Sequence, residues 1–198
     1  MGTVSGWLQQ LDRATGEAVI GLRTPVLDVA FRLLSQILWF KLAVLGTALA
    51  VGRARGSFRP GLTVAVTLLA TTLATTALKS VFGRLRPPLD DHAITALVPL
   101  PGDASFPSGH ASGAFAAAVA LGLLVPRARV PALVVAALVA FSRIWLGVHY
   151  LSDVIAGALL GSAIALAADR VSGRSRPGAA APGERARPAP RVSRDGAP

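Results

Sequence analysis

Three short segments contain the polar side chains whose types and spacing could do chemistry. The segments read KSVFGRLRPP, PSGH and SRIWLGVHYLSD, and each borders a long apolar run. Their candidate functional residues are Lys79, Arg86, Ser108, Gly109, His110, Arg143, His149 and Asp153. Histidines that accompany several fixed cations fit the needs of phosphoryl transfer, in which a nucleophile attacks phosphorus while cations stabilise the oxygens.

The positive charges of these segments predict an anionic ligand. Lys79, Arg86 and Arg143 outnumber Asp153, the one carboxylate that the three segments offer. Uncompensated cations near the ends of apolar helices are costly, so they indicate a partner that the protein itself does not supply. An arginine fork matches phosphate oxygens two at a time, and a lysine adds a point charge. We therefore expect Lys79, Arg86 and Arg143 to bind a phosphoryl group.

The histidines can be given separate roles. His149 and Asp153 are four residues apart, so on a helix the carboxylate would orient the imidazole and raise its basicity as a nucleophile. In PSGH, Ser108 is a good N-cap and Gly109 would let a ligand approach the amides of a helix N-terminus. His110 would then protonate the leaving oxygen as a general acid. We expect no metal and no cofactor, because no acidic cluster suited to Mg²⁺ is present.

The rest of the sequence predicts an all-α, polytopic transmembrane bundle that would position these residues. Hydrophobic residues make up 53% of the 198 and charged residues only 15%, and the apolar residues form long blocks. We expect an N-terminal amphipathic or interfacial segment (1–34), a transmembrane phosphatase domain (35–168) and a disordered basic tail rich in Pro, Gly and Ala (169–198). The domain would contain about five spans, near 35–51, 61–82, 109–125, 130–147 and 150–168.

The distribution of basic residues predicts the orientation in the membrane. The formal net charge is +10, and much of the excess lies in short loops and in the tail. Membrane orientation explains this pattern better than nucleic-acid binding, so no nucleic-acid partner is expected. By the positive-inside rule the arginine-rich loops and the C-terminal tail are cytoplasmic, and the three polar segments face the extracytoplasmic side of the cell membrane.

The three segments together resemble the signature of the type 2 phosphatidic acid phosphatase superfamily. The resemblance rests on Lys79 with Arg86 and Pro87, on PSGH, and on Ser142-Arg143 followed by His149 and Asp153, and it covers about residues 61–168. It implies a helical membrane bundle and hydrolysis without a metal. The sequence departs from the family at Leu151, where relatives often have proline, and in its five apparent spans, where many bacterial relatives have six.

The leading hypothesis is a membrane lipid phosphatase that works through a phosphohistidine intermediate. Its substrate would be a lipid phosphomonoester, such as phosphatidic acid or phosphatidylglycerol phosphate, or a polyprenyl pyrophosphate such as undecaprenyl pyrophosphate. Two alternatives stay open, a vanadate-dependent haloperoxidase-like enzyme and a membrane protein that binds phosphate without catalysis. The expected partners are the lipid phosphate and the bilayer.

Overall fold

A computed structural model describes residues 4–91 and 93–173, which form helices joined by short connections and one long loop; no strand occurs in these two ranges. The helices are α1 (Val4–Gly21), α2 (Pro25–Leu34), α3 (Leu38–Ala54), α4 (Arg59–Phe82), α5 (Pro87–Asp90), α6 (Gly109–Leu124), α7 (Arg129–Trp145) and α8 (Leu151–Val171). A single 3₁₀ turn, Pro126–Ala128, precedes α7. The predicted tail lies outside the described residues from position 174 onward.

The chain is a multi-pass membrane protein. Four helical stretches are long and apolar enough to cross a bilayer, namely Pro25–Ala54, Arg59–Asp90, Pro126–Trp145 and Leu151–Val171. The apolar helix α6 (Gly109–Leu124) is shorter and lies among them. The prediction of an all-α transmembrane bundle with about five spans is confirmed. The first stretch begins at Pro25 rather than near Ser35, because the apolar helix α2 leads directly into α3.

The outer surface of the bundle is apolar, as a bilayer requires. Large side chains such as Leu42 on α3, Leu73 on α4, Val134 on α7 and Leu159 on α8 are exposed on the surface of the protein. In water such a surface would be an aggregation hazard, whereas in a membrane these side chains contact lipid chains. The bundle therefore keeps its polar residues for the interior and for its ends.

Helix α6 forms the centre of the bundle and packs against α3, α4, α7 and α8. Its buried positions are mostly alanine, glycine and serine, which let neighbouring helices approach closely. The approach of α8 is closest at two glycines. A Cβ on Gly157 would lie 2.5 Å from the carbonyl oxygen of Ser108, and a Cβ on Gly161 would lie 2.0 Å from that of Ser112. This contact brings the N-termini of α6 and α8 together.

Two turns with a glycine in the left-handed conformation set helix ends at the polar end of the bundle. Helix α4 ends at Gly83, whose φ of +57° is the left-handed conformation that favours glycine. Between α7 and α8 the chain reverses at Gly147 with a φ of +71°, and a Cβ there would also meet the carbonyl oxygen of Thr95 at 2.6 Å. The second turn places His149 immediately before α8, facing the loop that follows α5.

Candidate active site

The polar residues of the three sequence segments meet at one end of the bundle. The C-terminal ends of α4 and α7 and the N-terminal ends of α6 and α8 lie there, and residues 83–91 and 93–107 cover them. The backbone N–H of Ser108 donates to the carbonyl oxygen of Asp153 at 3.0 Å, which ties the α6 N-terminus to α8. The N–H of Ser105 donates to the carbonyl oxygen of Arg84 at 2.8 Å, which ties the two ends of the loop together.

His149 is buried and its Nδ1 faces a serine and a carboxylate. Ser105 Oγ lies 3.3 Å from Nδ1 and donates to Asp153 Oδ2 at 2.5 Å. The direct distance from Nδ1 to Asp153 Oδ2 is 3.5 Å, too long for a strong hydrogen bond. Ser105 therefore links the imidazole to the carboxylate. Sequence reasoning placed the carboxylate beside the histidine but missed this serine, which precedes PSGH by only a few residues.

The other ring nitrogen of His149 accepts a hydrogen bond from an arginine. Arg86 Nη1 lies 3.2 Å from Nε2 and also donates to the carbonyl oxygen of Val148 at 2.8 Å. A guanidinium has no lone pair to offer, so Nε2 carries the lone pair and Nδ1 carries the proton. Burial lowers the pKa of His149 to about 4, although the hydrogen bond with Asp153 acts in the opposite direction. The ring is therefore neutral at pH 7, with its nucleophilic lone pair on Nε2.

Asp153 is fully buried and its charge is balanced by Arg84. Arg84 Nη1 lies 2.7 Å from Asp153 Oδ1, and Arg84 Nη2 lies 2.7 Å from Oδ2 of Asp12 on α1. Asp12 is buried too, and it accepts from both the backbone and the hydroxyl of Ser152. The backbone N–H of Tyr150 donates a hydrogen bond to Asp153 Oδ2 at 3.0 Å. Arg84 thus pairs with two carboxylates, and the salt-bridge partner of Asp153 is Arg84 rather than Arg143.

Lys79 and Arg86 converge on one carboxylate of the long loop. Asp103 Oδ2 lies 3.0 Å from Lys79 Nζ, and Asp103 Oδ1 lies 2.5 Å from Arg86 Nη2. Partial burial acts to raise the pKa of Asp103, but the hydrogen bonds from Arg86 and Lys79 hold it below its usual value. Asp103 thus keeps its charge and occupies the position between the two cations where phosphate oxygens would bind. The sequence did not single it out, because an acid in a long polar loop is expected to be solvated.

Arg143 approaches the same end of the bundle from α7 and is 5% exposed. Its Nη1 donates to Ser35 Oγ, and its Nε has no hydrogen-bond partner. Within the described ranges no carboxylate forms a salt bridge with it. A buried guanidinium with a free donor and no counter-ion is an incomplete site, and an anion would complete it.

PSGH forms the start of α6 as the sequence predicts. Ser108 is the N-cap, and its Oγ accepts from the N–H of Ala111 at 3.4 Å. A Cβ on Gly109 would meet only a methyl group of Thr75 at 3.7 Å, which is ordinary contact. The fold itself therefore leaves space above the Gly109 backbone, and a ligand can approach the helix N-terminus there.

His110 faces a cavity of about 250 Å³, whose lining also includes Lys79 and Asp103. Asp103, which lines the same cavity, bonds to Arg86, and Arg86 donates to His149 Nε2. His110 also lies within electrostatic range of His149 and Arg143. The residues singled out in the sequence thus surround one polar region, and Ser105, Asp103, Arg84 and Asp12 join them.

The sequence matches the PAP2 superfamily over residues 60–177. The chain belongs to this superfamily, and it is a membrane phosphatase, that is, a hydrolase of phosphoric esters or of lipid pyrophosphates. It is 38% identical to the decaprenylphosphoryl-5-phosphoribose phosphatase of Mycobacterium tuberculosis over 139 residues, which are 68% of this chain and 72% of that protein. It is also 38% identical to the undecaprenyl-diphosphatase of Sulfolobus acidocaldarius over 103 residues, 52% of this chain and 50% of that protein.

A solved structure supports the fold. The transmembrane PAP2-type phosphatidylglycerolphosphate phosphatase of Bacillus subtilis superposes with a TM-score of 0.71 at 24% sequence identity. The superposition covers 88% of this chain and 90% of that protein. The family resemblance read from the three segments is therefore confirmed, together with the membrane-bundle fold that it implies.

Proposed function

We propose that the chain hydrolyses a polyprenyl diphosphate or a related lipid phosphate, without a metal ion and through a phosphohistidine at His149. The observation that carries this proposal is the environment of His149 Nε2. The nitrogen holds a lone pair, lies 3.2 Å from a cation, and belongs to a ring whose other nitrogen is held by Ser105 beside Asp153. An oriented neutral imidazole next to fixed positive charge is what attack on a phosphoryl group requires.

In the first half-reaction Nε2 attacks phosphorus in line with the leaving oxygen. The N–P bond forms, and the bond from phosphorus to the leaving oxygen breaks; this is the bridging oxygen of a diphosphate or the ester oxygen of a monophosphate. Protonated His110 gives its proton to that oxygen. As substrate enters, Arg86 turns from Nε2 to the phosphoryl oxygens, and its charge opposes the negative charge that develops there. The imidazolium that forms at His149 is stabilised by Asp153 through Ser105.

In the second half-reaction water replaces the histidine on phosphorus. His110, now neutral, takes a proton from the attacking water, the N–P bond breaks, and inorganic phosphate leaves. The proton from water replaces the one that His110 gave to the leaving oxygen, so the cycle closes. Lys79, Arg86, Arg143 and the α6 N-terminus bind the phosphoryl oxygens throughout, and Asp103 gives up its place between the first two cations.

The substrate class is supported by two considerations. The two relatives compared by sequence in the preceding section act, by their names, on polyprenyl-linked phosphates. The site also lies at the end of an apolar bundle, so a lipid chain can remain in the bilayer while its phosphate reaches the polar end. The positive-inside rule places this end, with the substrate, on the extracytoplasmic side and the C-terminal tail in the cytoplasm.

Phosphate release by the purified chain in detergent tests the proposal. We expect hydrolysis of a short polyprenyl diphosphate in the presence of excess EDTA, and inhibition by vanadate, whose trigonal-bipyramidal form resembles the transition state. His149→Ala should reduce kcat by at least about 10³-fold, because it removes the nucleophile. A control variant, Thr47→Val, alters an exposed helix position away from the site and should keep full activity. Full turnover by His149→Ala would contradict the nucleophile assignment.

A further inference from the structure

Lys41 lines the cavity next to His110, although it belongs to the first candidate membrane span. It is one of only two lysines in the chain, and the other is Lys79. Within residues 4–91 and 93–173 its amine has neither a hydrogen bond nor an ion pair. A cation placed in an apolar helix without any partner is costly and marks a functional position.

The side chain of Lys41 points into the bundle rather than toward the membrane surface. A Cβ on Gly113 of α6 would lie 2.5 Å from Lys41 Cε and 2.7 Å from Nζ. The amine thus lies against the α6 backbone, where only glycine leaves space for it. Gly113 follows His110 by three residues and lies on the same face of α6, about 4.5 Å farther along the helix at 1.5 Å per residue.

A second, independent feature of the same cavity lacks a partner. Thr75 on α4 lines the cavity and is 4% exposed, and its Oγ1 has no hydrogen-bond partner. The equivalent position one turn earlier, Thr71, donates its hydroxyl proton to the carbonyl oxygen of Thr67 at 2.7 Å. Of the buried threonines spaced four residues apart on α4 (Thr67, Thr71 and Thr75), Thr75 is therefore the one whose hydroxyl is left free to donate to a ligand oxygen.

The charge of the cavity points to an anion. Asp103 is the only carboxylate among its lining residues, and it is already bonded to Lys79 and Arg86. The positive charge of Lys41 is left without compensation. We propose that Lys41, with Thr75, binds a second phosphate of the substrate, directly linked to the phosphoryl group that reacts. This inference rests on the proposed function and specifies its substrate as a lipid diphosphate in preference to a lipid monophosphate.

The position of Lys41 assigns it to the leaving group. His149 attacks the terminal phosphorus, and His110 protonates the oxygen that bridges the two phosphates. The inner phosphate then extends from His110 along α6 toward Lys41, which lies against Gly113, and Thr75 borders the same cavity beside Gly109. When the bridging P–O bond breaks, the lipid monophosphate departs with the proton from His110, and Lys41 neutralises the charge that it retains. The cavity is bordered by α3 and α4, whose exposed Leu42 and Leu73 offer the attached lipid chain an apolar surface.

A matched pair of substrates tests this assignment. We would measure kcat and KM of the full chain in detergent on farnesyl diphosphate and on farnesyl monophosphate, for the wild type and for Lys41→Met, which keeps the length of the side chain and removes its charge. Loss of a charge-assisted hydrogen bond to the inner phosphate predicts a fall in kcat/KM of about 30-fold for the diphosphate. The value for the monophosphate should change less than about threefold. Thr47→Val on the same helix is the control.

The rise in Tm on ligand binding gives a second readout that does not depend on turnover of a lipid. In the wild type, inorganic pyrophosphate should raise the Tm more than inorganic phosphate, and in Lys41→Met the two should have the same effect. The Tm of unliganded Lys41→Met should not fall, because the substitution removes a charge that has no partner among the described residues.

The possible outcomes separate the two proposals. If the wild type hydrolyses neither farnesyl compound, the proposed function fails. If it hydrolyses them and Lys41→Met lowers kcat/KM for both equally, or for neither, the assignment of Lys41 is overturned while the proposed function stands. A lower Tm of unliganded Lys41→Met, with the pyrophosphate preference intact, would mean that the lysine is structural and would also overturn the assignment.

Discussion

Ser105 is the residue whose removal tests the site geometry most sharply. It is fully buried, and its Oγ lies 3.3 Å from His149 Nδ1 while it donates to Asp153 Oδ2 at 2.5 Å. Ser105→Ala leaves Asp153 with its bonds from Arg84 and from the Tyr150 backbone, so the carboxylate stays satisfied. The histidine loses its near acceptor, because the remaining distance from Nδ1 to Asp153 Oδ2 is 3.5 Å.

The expected cost of Ser105→Ala follows from this difference. A buried hydrogen bond that orients the nucleophile contributes about 1.5 kcal/mol, which corresponds to about a tenfold loss in kcat. KM should change little, because Ser105 does not bind the phosphate. The assay is phosphate release from a short polyprenyl diphosphate, with thermal unfolding measured in the same detergent.

A matched control for Ser105→Ala is Ser112→Ala. Ser112 is equally buried, but its hydroxyl donates only to the backbone of its own helix at Ser108, 2.8 Å away. This variant should keep its kcat within about twofold of the wild type. If Ser105→Ala also kept a wild-type kcat with a wild-type Tm, the serine link between His149 and Asp153 would have no part in the reaction, and the reasoning would be refuted.

Three further predictions concern the charges around the site. Asp103→Asn removes the carboxylate that competes with substrate for Lys79 and Arg86, so the inhibition constant of inorganic phosphate should fall about fivefold, and a rise would contradict this role. Asp12→Asn leaves Arg84 without one of its two carboxylates and should lower both Tm and kcat, with the Tm loss measured by thermal unfolding; an unchanged Tm would show that α1 does not support the site. Burial lowers the pKa of His149 from 6.5 to about 4, so between these pH values the unfolded chain binds more protons than the folded one, and the stability contributed by this group is complete above pH 6.5 and lost as the pH falls toward 4. Tm should therefore drop across that window, while the acid limb of kcat/KM stays below pH 6.5. An acid limb at pH 6.5 would refute the burial argument.

The sequence predicted the site best where a residue lies at the end of an apolar run. Lys79, His110 and His149 each lie at the end of an apolar helix, and apolar helices that alternate in direction must bring such ends to one side. The helix start at Ser108 followed from its side chain alone, since serine is a strong N-cap. These expectations required only periodicity and span length, so no knowledge of the packing was needed.

The missed residues depend on packing between distant parts of the chain. Arg84 reaches Asp12 across 72 positions, and Asp103 reaches Arg86 through a loop without a regular pattern. Lys41 posed a different problem, because a lysine near the start of a span has the same sequence pattern whether it points to the interface or into the bundle. The glycine at position 113 decides the direction, and its significance appears only once α3 and α6 are seen in contact.

The central claim is that the imidazole of residue 149 becomes covalently phosphorylated. Rapid-quench experiments with a substrate labelled with ³²P in its terminal phosphate, followed by peptide mapping under alkaline conditions, test it directly. The account predicts an acid-labile label on His149 in the wild type and none in His149→Ala. Turnover without any protein-bound label, or a label on a different residue, would contradict it.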